Sequence, residues 1–179
     1  MLIGISGRAR VGKDTVGEYL AHYHHFVTDA FANSLKRACR EIFGLTPAQL
    51  NGDLKEVKDE FWGDTPRHIL QLVGTECIRK GYDENIWVQS LRKRMLGYPA
   101  DVNYCVTDIR FPNEANAIHD WGGKLVLVSR PGAPHIATPQ HASETSMKDY
   151  YGWDYALENN GDLPQLYANI EIMMSKFKE

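Results

Sequence analysis

Short apolar runs alternate with amphipathic stretches along the 179-residue chain. LIGIS (Leu2 to Ser6) has no polar break until its end and predicts a first buried strand, and DTVGEYLAHY after it places Val16, Tyr19 and Leu20 on one helical face. A short second strand is expected at Phe26 to Thr28, then a helix around Ser34 to Phe43 that Gly44 stops. From about Thr46 to Leu96 the pattern is mostly helical. TPRHILQLVGTECIRKG offers Thr65 as N-cap, Pro66 at the first helical position, Gly81 as stop and an apolar stripe of Ile69, Leu72, Val73 and Ile78; ENIWVQSLRKRML is a further helix. VNYCVTD (Val102 to Asp108) reads as a buried strand, PNEANAIHDWGG as a helix begun by Pro112 and ended by Gly122 or Gly123, and KLVLVS as another strand. DYALEN supplies the last strand and Leu163 to Phe177 the closing helix.

Strands separated by helices predict a parallel sheet covered on both faces, whose ligands gather at the carboxyl ends of the strands. The loops at 7–13, 108–114 and 130–147 all begin at such ends and are expected to converge. No repeat or long Pro/Gly-rich linker divides the chain, so a single domain with a helical insertion is expected.

Composition narrows the partners more than the chemistry. A net charge of -3 lacks the basic footprint of a nucleic-acid binder, and Lys36, Arg37 and Arg40, like Arg92, Lys93 and Arg94, fall at helical spacing as solvated faces. No apolar run reaches the roughly 18 residues of a membrane span, and no signal segment is present, so a cytoplasmic protein is expected. Cys39, Cys77 and Cys105 are widely spaced and read as small buried hydrophobes in a reducing compartment. The HYHH stretch at 22–25, His135 and His141 lack the companions of a zinc site.

Candidate chemistry begins at GRARVGK, a G-x-x-x-x-G-K match between a strand and a helix. Gly7 and Gly12 can adopt backbone angles closed to other residues, so that successive N–H groups wrap a phosphate at a helix N-terminus, with Lys13 reaching the β- and γ-phosphates. Asp14 stands where such loops often carry a hydroxyl, and Thr15 supplies one a place later. The Asp14 carboxylate has two outlets, a metal ion or the helix N-terminus. In YCVTDIRFPNE an apolar strand runs into Asp108, the position of a Mg²⁺-directed carboxylate, followed by Arg110, whose guanidinium suits phosphate. Glu114 either orients Arg110 or is a solvated helix residue.

The order of these parts resembles the phage-type deoxynucleoside monophosphate kinases of the P-loop superfamily. The resemblance rests on SGRARVGKDT, RHILQLVGTECIRKGYDENIWV, VTDIRFPNEANAIHDWGGKLVLVSRPG, HASET and ENNGDLPQLYANI, and it spans nearly the whole chain. It implies a three-layer α/β fold with a five-stranded parallel sheet in the order 2-3-1-4-5, a helical acceptor-binding region at about 46–97 and a lid at about 130–147. Gly-Lys-Asp-Thr belongs to that family's pattern. Carried over, the resemblance implies that Gly7, Arg10, Val11, Gly12, Lys13, Asp14 and Thr15 hold ATP, with Asn159 and Gly161 near its adenine. Asp14 and Asp108 would serve Mg²⁺, and Lys13, Asp14, Arg110 and Arg130 the transfer itself. Arg67, Gln71, Thr75 and Trp87, with Arg110, Glu114 and Glu144, would meet the deoxynucleoside monophosphate. Trp87, at helical spacing with Val88 and Leu91, also reads as core. From Thr46 to Asp64 the match is looser and the insertion shorter, which leaves base specificity open. A homodimer, and the cytoplasm of a phage's host as the location, are suggested by the resemblance alone. Two other readings stay open: a P-loop kinase for another small acceptor such as dephospho-coenzyme A, and an ATP-binding regulatory module that is not a kinase.

Overall fold

The computed structural model describes residues 1–132 and 141–179. The chain divides into two compact units, one made of Met1–Ala30 with Met95–Glu179 and the other of Phe31–Arg94. In chain order the strands are β1 (Leu2–Ser6), β2 (Val27–Asp29), β3 (Tyr104–Ile109), β4 (Lys124–Ser129) and β5 (Tyr155–Glu158). The helices are α1 (Lys13–His24), α2 (Asn33–Phe43), α3 (Pro47–Asn51), α4 (Pro66–Gln71), α5 (Ile86–Met95), α6 (Pro112–Asp120), α7 (Ala142–Thr145) and α8 (Leu163–Lys178).

All five strands belong to the first unit and pair in parallel, in the expected order β2-β3-β1-β4-β5. As the central strand, β1 is buried at every position, which its unbroken apolar run foretells. Ile3 and Ile5 pack with Val126, Val128 and Leu157 of neighbouring strands, Val16 and Leu20 of α1, and Leu166, Ile170, Met173 and Met174 of α8. Gly4, between them in the pleat, faces the opposite side, where a Cβ would fall 2.4 Å from Ile109 Cδ1 and 3.1 Å from Ile118 of α6. Helices thus cover both faces, as βαβ crossovers require.

β2 starts one residue later than predicted because Phe26 completes the cap of α1: its N–H bonds the Leu20 carbonyl at 3.2 Å and its ring enters the core. β3 extends one residue past Asp108, since the pairing with β1 jumps from Gly4–Val106 to Ser6–Ile109. That bulge sets Thr107 and Asp108 of β3 against Ile5 of β1.

The helical unit departs further from the pattern. Residues 57–65 are not helical, because the Asp59 carboxylate accepts the N–H groups of Phe61 and Trp62 at 3.0 and 3.1 Å and turns the backbone away. Thr65 caps α4 by accepting the His68 N–H, with Pro66 in the first turn. The chain then widens into a π-helix over Leu72–Arg79, with bonds such as Lys80 N–H to the Thr75 carbonyl, and the helix ends before Gly81. The widened turn displaces the predicted stripe, leaving Leu72 45% exposed while Gly74 and Thr75 are buried. Cys77 is exposed for the same reason, against its expected burial. Cys39 and Cys105 are buried, and desolvation pushes their thiols up to about 11 and about 12.

Candidate active site

β1 delivers the chain into the loop Gly7–Gly12, and three residues there hold positive φ: Gly7 at 146°, Arg10 at 63° and Gly12 at 103°. At Gly7 a Cβ would lie 2.3 Å from the Val128 carbonyl oxygen, backbone that cannot step aside, so the tight departure from β1 needs glycine. Val11 turns inward, 3% exposed, and joins the core below the loop; its contribution to a ligand is through its backbone. The Lys13 ammonium donates to the carbonyls of Gly7 and Arg8 at 2.8 and 2.7 Å, which suspends its charge over the loop.

Arg10, Gly12, Lys13, Asp14, Thr15, Arg130, Asn159 and Gly161, eight of the residues anticipated from the sequence, line one cavity of about 510 Å³. Asp162, Leu163 and Leu166 complete it and were not anticipated. Asp162 was legible as an N-cap: it stands before Leu163 and Pro164, and its carboxylate accepts the Gln165 N–H at 3.0 Å. Three cations, Arg10, Lys13 and Arg130, face two carboxylates in this lining. With the positive end of α1 added, the balance suits a polyanion. Asp14 is exposed at this cavity in the first turn of α1, where Gly12 occupies the N-cap position without a side-chain cap.

Asp108 lies in the bulge of β3 and is half-buried, as is Thr107, whose methyl packs where a Cβ on Gly17 of α1 would stand, 2.7 Å away. Buried Ser6 donates its hydroxyl to the Ile109 carbonyl at 2.8 Å, tying the end of β1 to β3 just past this position. Glu114 is not a solvated helix residue. It is 3% exposed and its carboxylate accepts the backbone N–H groups of Arg110 and Phe111 at 2.9 and 3.2 Å, fixing the turn into α6. Asp108, Arg110 and Glu114 do not line the cavity around Lys13.

In the helical unit Arg67 pairs through Nε with Glu56, while half-exposed Gln71 ends α4. Thr75 is buried in the π-helix. Trp87 is 8% exposed and its indole donates to the Gly74 carbonyl at 3.0 Å, so its ring packs as part of the core. Glu144 falls in α7, but its side chain lies outside the described residues, as do His135 and the middle of the expected lid, 133–140. Among the described residues no group of three or more His, Cys, Asp or Glu side chains is placed to hold a metal ion. His24 and Tyr19 instead share the Glu171 carboxylate, each at 2.8 Å.

A sequence model of the deoxynucleotide monophosphate kinase family matches residues 49–170. The chain belongs to that family. The matched stretch holds Arg67, Gln71, Thr75, Trp87, Asp108, Arg110, Glu114, Arg130, Asn159 and Gly161, whereas the glycine loop lies ahead of it and stands on its own geometry. A protein of Acanthamoeba polyphaga mimivirus, provisionally named a deoxynucleotide monophosphate kinase, is 34% identical over 95% of this chain and 94% of its own length. The deoxynucleoside-5'-monophosphate kinase of Escherichia phage T5 is 38% identical over 60% of this chain, and this family member spans only 44% of that relative's length. In fold, the chain is similar to the dephospho-CoA kinase of Campylobacter jejuni, with a TM-score of 0.55 at 15% identity over 98% of this chain and 96% of that one. The shikimate kinase of Aquifex aeolicus gives 0.51 at 15% identity over 99% and 98%. Among the described residues no helix is long and apolar enough to cross a membrane.

Proposed function

We propose that this protein transfers the γ-phosphoryl group of ATP to a deoxynucleoside monophosphate, with Mg²⁺. The observation that carries the reading is the Gly7–Thr15 cradle at the carboxyl end of the central strand, in a chain of the deoxynucleotide monophosphate kinase family. A phosphate oxygen of the acceptor attacks the γ-phosphorus as its bond to the ADP oxygen breaks, and charge spreads over the three equatorial oxygens. The backbone N–H groups of the loop and the α1 N-terminus hold the donor phosphates. Lys13, Arg10 and Arg130 bring positive charge to the same cavity, where fixed cations act on a developing anion at no reorganisation cost. Arg110 is assigned to the transferring group, and Arg67 to the acceptor phosphate, where its planar fork suits two phosphate oxygens.

The oxygen donors Asp14 and Thr15 in the cavity lining suit a hard cation such as Mg²⁺. This ion keeps several waters and is held by one or two carboxylates together with substrate phosphates, so a cage of three protein carboxylates is not required. Asp14 at the cavity would offer the carboxylate and the Thr15 hydroxyl a neutral oxygen, and Asp108, in the β3 bulge outside that lining, is assigned to the ion's water shell. An ion held there would supply positive charge to the phosphates, beside the charge that Lys13, Arg10 and Arg130 bring.

ADP release, measured with ATP against each deoxy- and ribonucleoside monophosphate, dephospho-coenzyme A and no acceptor, tests the reading. Strong stimulation by one or more deoxynucleoside monophosphates is expected. Stimulation by dephospho-coenzyme A alone would make the acceptor a different one, and slow release indifferent to every acceptor would identify a regulatory module.

A further inference from the structure

The resemblance puts Asn159 beside the donor's adenine, but its contacts give it other work. Asn159 is the buried polar side chain of the cavity lining, 7% exposed. Its Nδ2 donates to the Val11 carbonyl at 2.9 Å, across 148 positions of sequence. Its own N–H donates to the Ser129 carbonyl at 2.7 Å, so it is fastened to the end of β4 just beyond the last β5 pairing, Glu158 with Ser129. The amide also fills the space beside Gly12, where a Cβ would stand 2.7 Å from Nδ2.

From these contacts we propose that Asn159 is a positioning residue that latches the phosphate loop in its binding shape and serves every triphosphate donor alike, whatever its base. Val11 is gripped twice, with its side chain sunk in the core and its carbonyl held by the amide. The peptide that carries this carbonyl also carries the Gly12 N–H, and the Lys13 N–H follows. These open the positive end of α1. Fixing the carbonyl therefore fixes the direction in which those donors point, and donors already aimed at an anion bind it without first being ordered. Gly12 follows from the same arrangement, since any side chain there would push out the amide.

The inference rests on the donor half of the proposed function, and calorimetry with a ligand that has no base separates it from base recognition. Binding of inorganic tripolyphosphate, ATP and GTP is measured for the parent, Asn159→Ala and Asn159→Leu, the last close to the side chain's size without its donor or any added charge. Each variant should weaken all three ligands by one common factor, about three- to ten-fold for the loss of one neutral hydrogen bond. The ratio of ATP to GTP affinity stays at the parent's value. A loss confined to ATP, with tripolyphosphate unchanged, would make Asn159 a reader of adenine and overturn the latch. A lowered melting temperature with all three affinities intact would reduce Asn159 to packing and overturn it as well. A parent that holds ATP but not tripolyphosphate places the affinity in the base, and the latch falls with that result too. If the variants weaken all three ligands equally while the parent phosphorylates no monophosphate, the latch stands and the kinase reading falls.

Discussion

The glycine cradle and the Phe31–Arg94 unit carry the two halves of the proposed reaction, and they are built on different principles. The cradle is mostly backbone: a contiguous loop whose positive φ angles at Gly7, Arg10 and Gly12 aim N–H groups, with Lys13 held by two carbonyls of that loop. The helical unit works through side chains set far apart in sequence and steered by register, where one widened turn decides that Thr75 is buried and Leu72 exposed. Phosphate recognition through the backbone is common to many chemistries, and a short motif is enough to specify it. Recognition of one particular acceptor has no such shorthand.

The sharpest way to break this contrast is at Lys13. Lys13→Ala should lower kcat by roughly 10²–10³-fold, as the loss of one preorganised charge at a transferring group does, while its melting temperature stays close to the parent's, because the ammonium bonds carbonyls of the loop itself. Near-normal turnover would remove the cradle from the reaction.

Arg67→Lys tests the other half. A point charge cannot reproduce a planar fork, so KM for the monophosphate should rise about ten- to a hundred-fold, corresponding to about 1.5–3 kcal/mol, while KM for ATP stays put. Glu56 already pairs with Nε of Arg67, so an acceptor would meet a guanidinium that is engaged within the helical unit. Steady-state kinetics with each substrate varied in turn decides it. A rise in the ATP value would transfer Arg67 to the donor side, and no change in either would end its role.

What the sequence made legible follows the same division. The strands, the Thr65 and Gly44 helix boundaries and the loop around Lys13 were open to reading, because each rests on a local rule: an unbroken apolar run, a cap, a glycine loop; the strand order came with the family resemblance. The β3 bulge was not open to reading, since the two-against-one register exists only once β1 lies beside it. Nor could the sequence choose between the two readings of Glu114, a choice made by the turn whose N–H groups it accepts. The π-helix was hidden for a different reason. A stripe counted at the α-helical period cannot reveal where the period changes, and the widening here accompanies Leu35 packed over Gly74 and the Trp87 bond to the Gly74 carbonyl, contacts distant in sequence.

That last pairing gives a smaller prediction on the helical side. Trp87→Phe keeps an aromatic ring in the core but strands the Gly74 carbonyl, costing about 1 kcal/mol for the bond and somewhat more for the lost volume. The denaturation midpoint should fall accordingly, and KM for the monophosphate should rise while KM for ATP does not, because Gly74 and Thr75 belong to the same widened turn. Equal changes in both values would mean that the π-segment has no special tie to the acceptor.

The smallest expected effect belongs to the frame of the sheet unit and is a matter of pH. Asp154 precedes β5 and joins three elements: its carboxylate accepts the Leu125 N–H and His119 Nε2 at 2.8 Å each and Lys124 Nζ at 3.3 Å. Burial opposes its ionisation, but the Leu125 N–H, His119 and Lys124 together outweigh that and hold its carboxyl below the usual carboxylate value. A group whose value is depressed on folding stabilises the protein above its unfolded value, about 4, and that contribution disappears as pH falls through the folded value. Asp154→Asn should therefore lower the melting temperature at neutral pH by a few degrees at most, since a partly exposed ion pair is worth under about 1 kcal/mol. The gap between parent and variant should close as the solution is acidified below about pH 4, and neither KM should move at any pH where both proteins are folded. A gap that persists or widens in acid would show that the carboxylate holds these elements by shape and not by charge. A shift in KM for ATP would show that the sheet frame and the cradle are not mechanically separate.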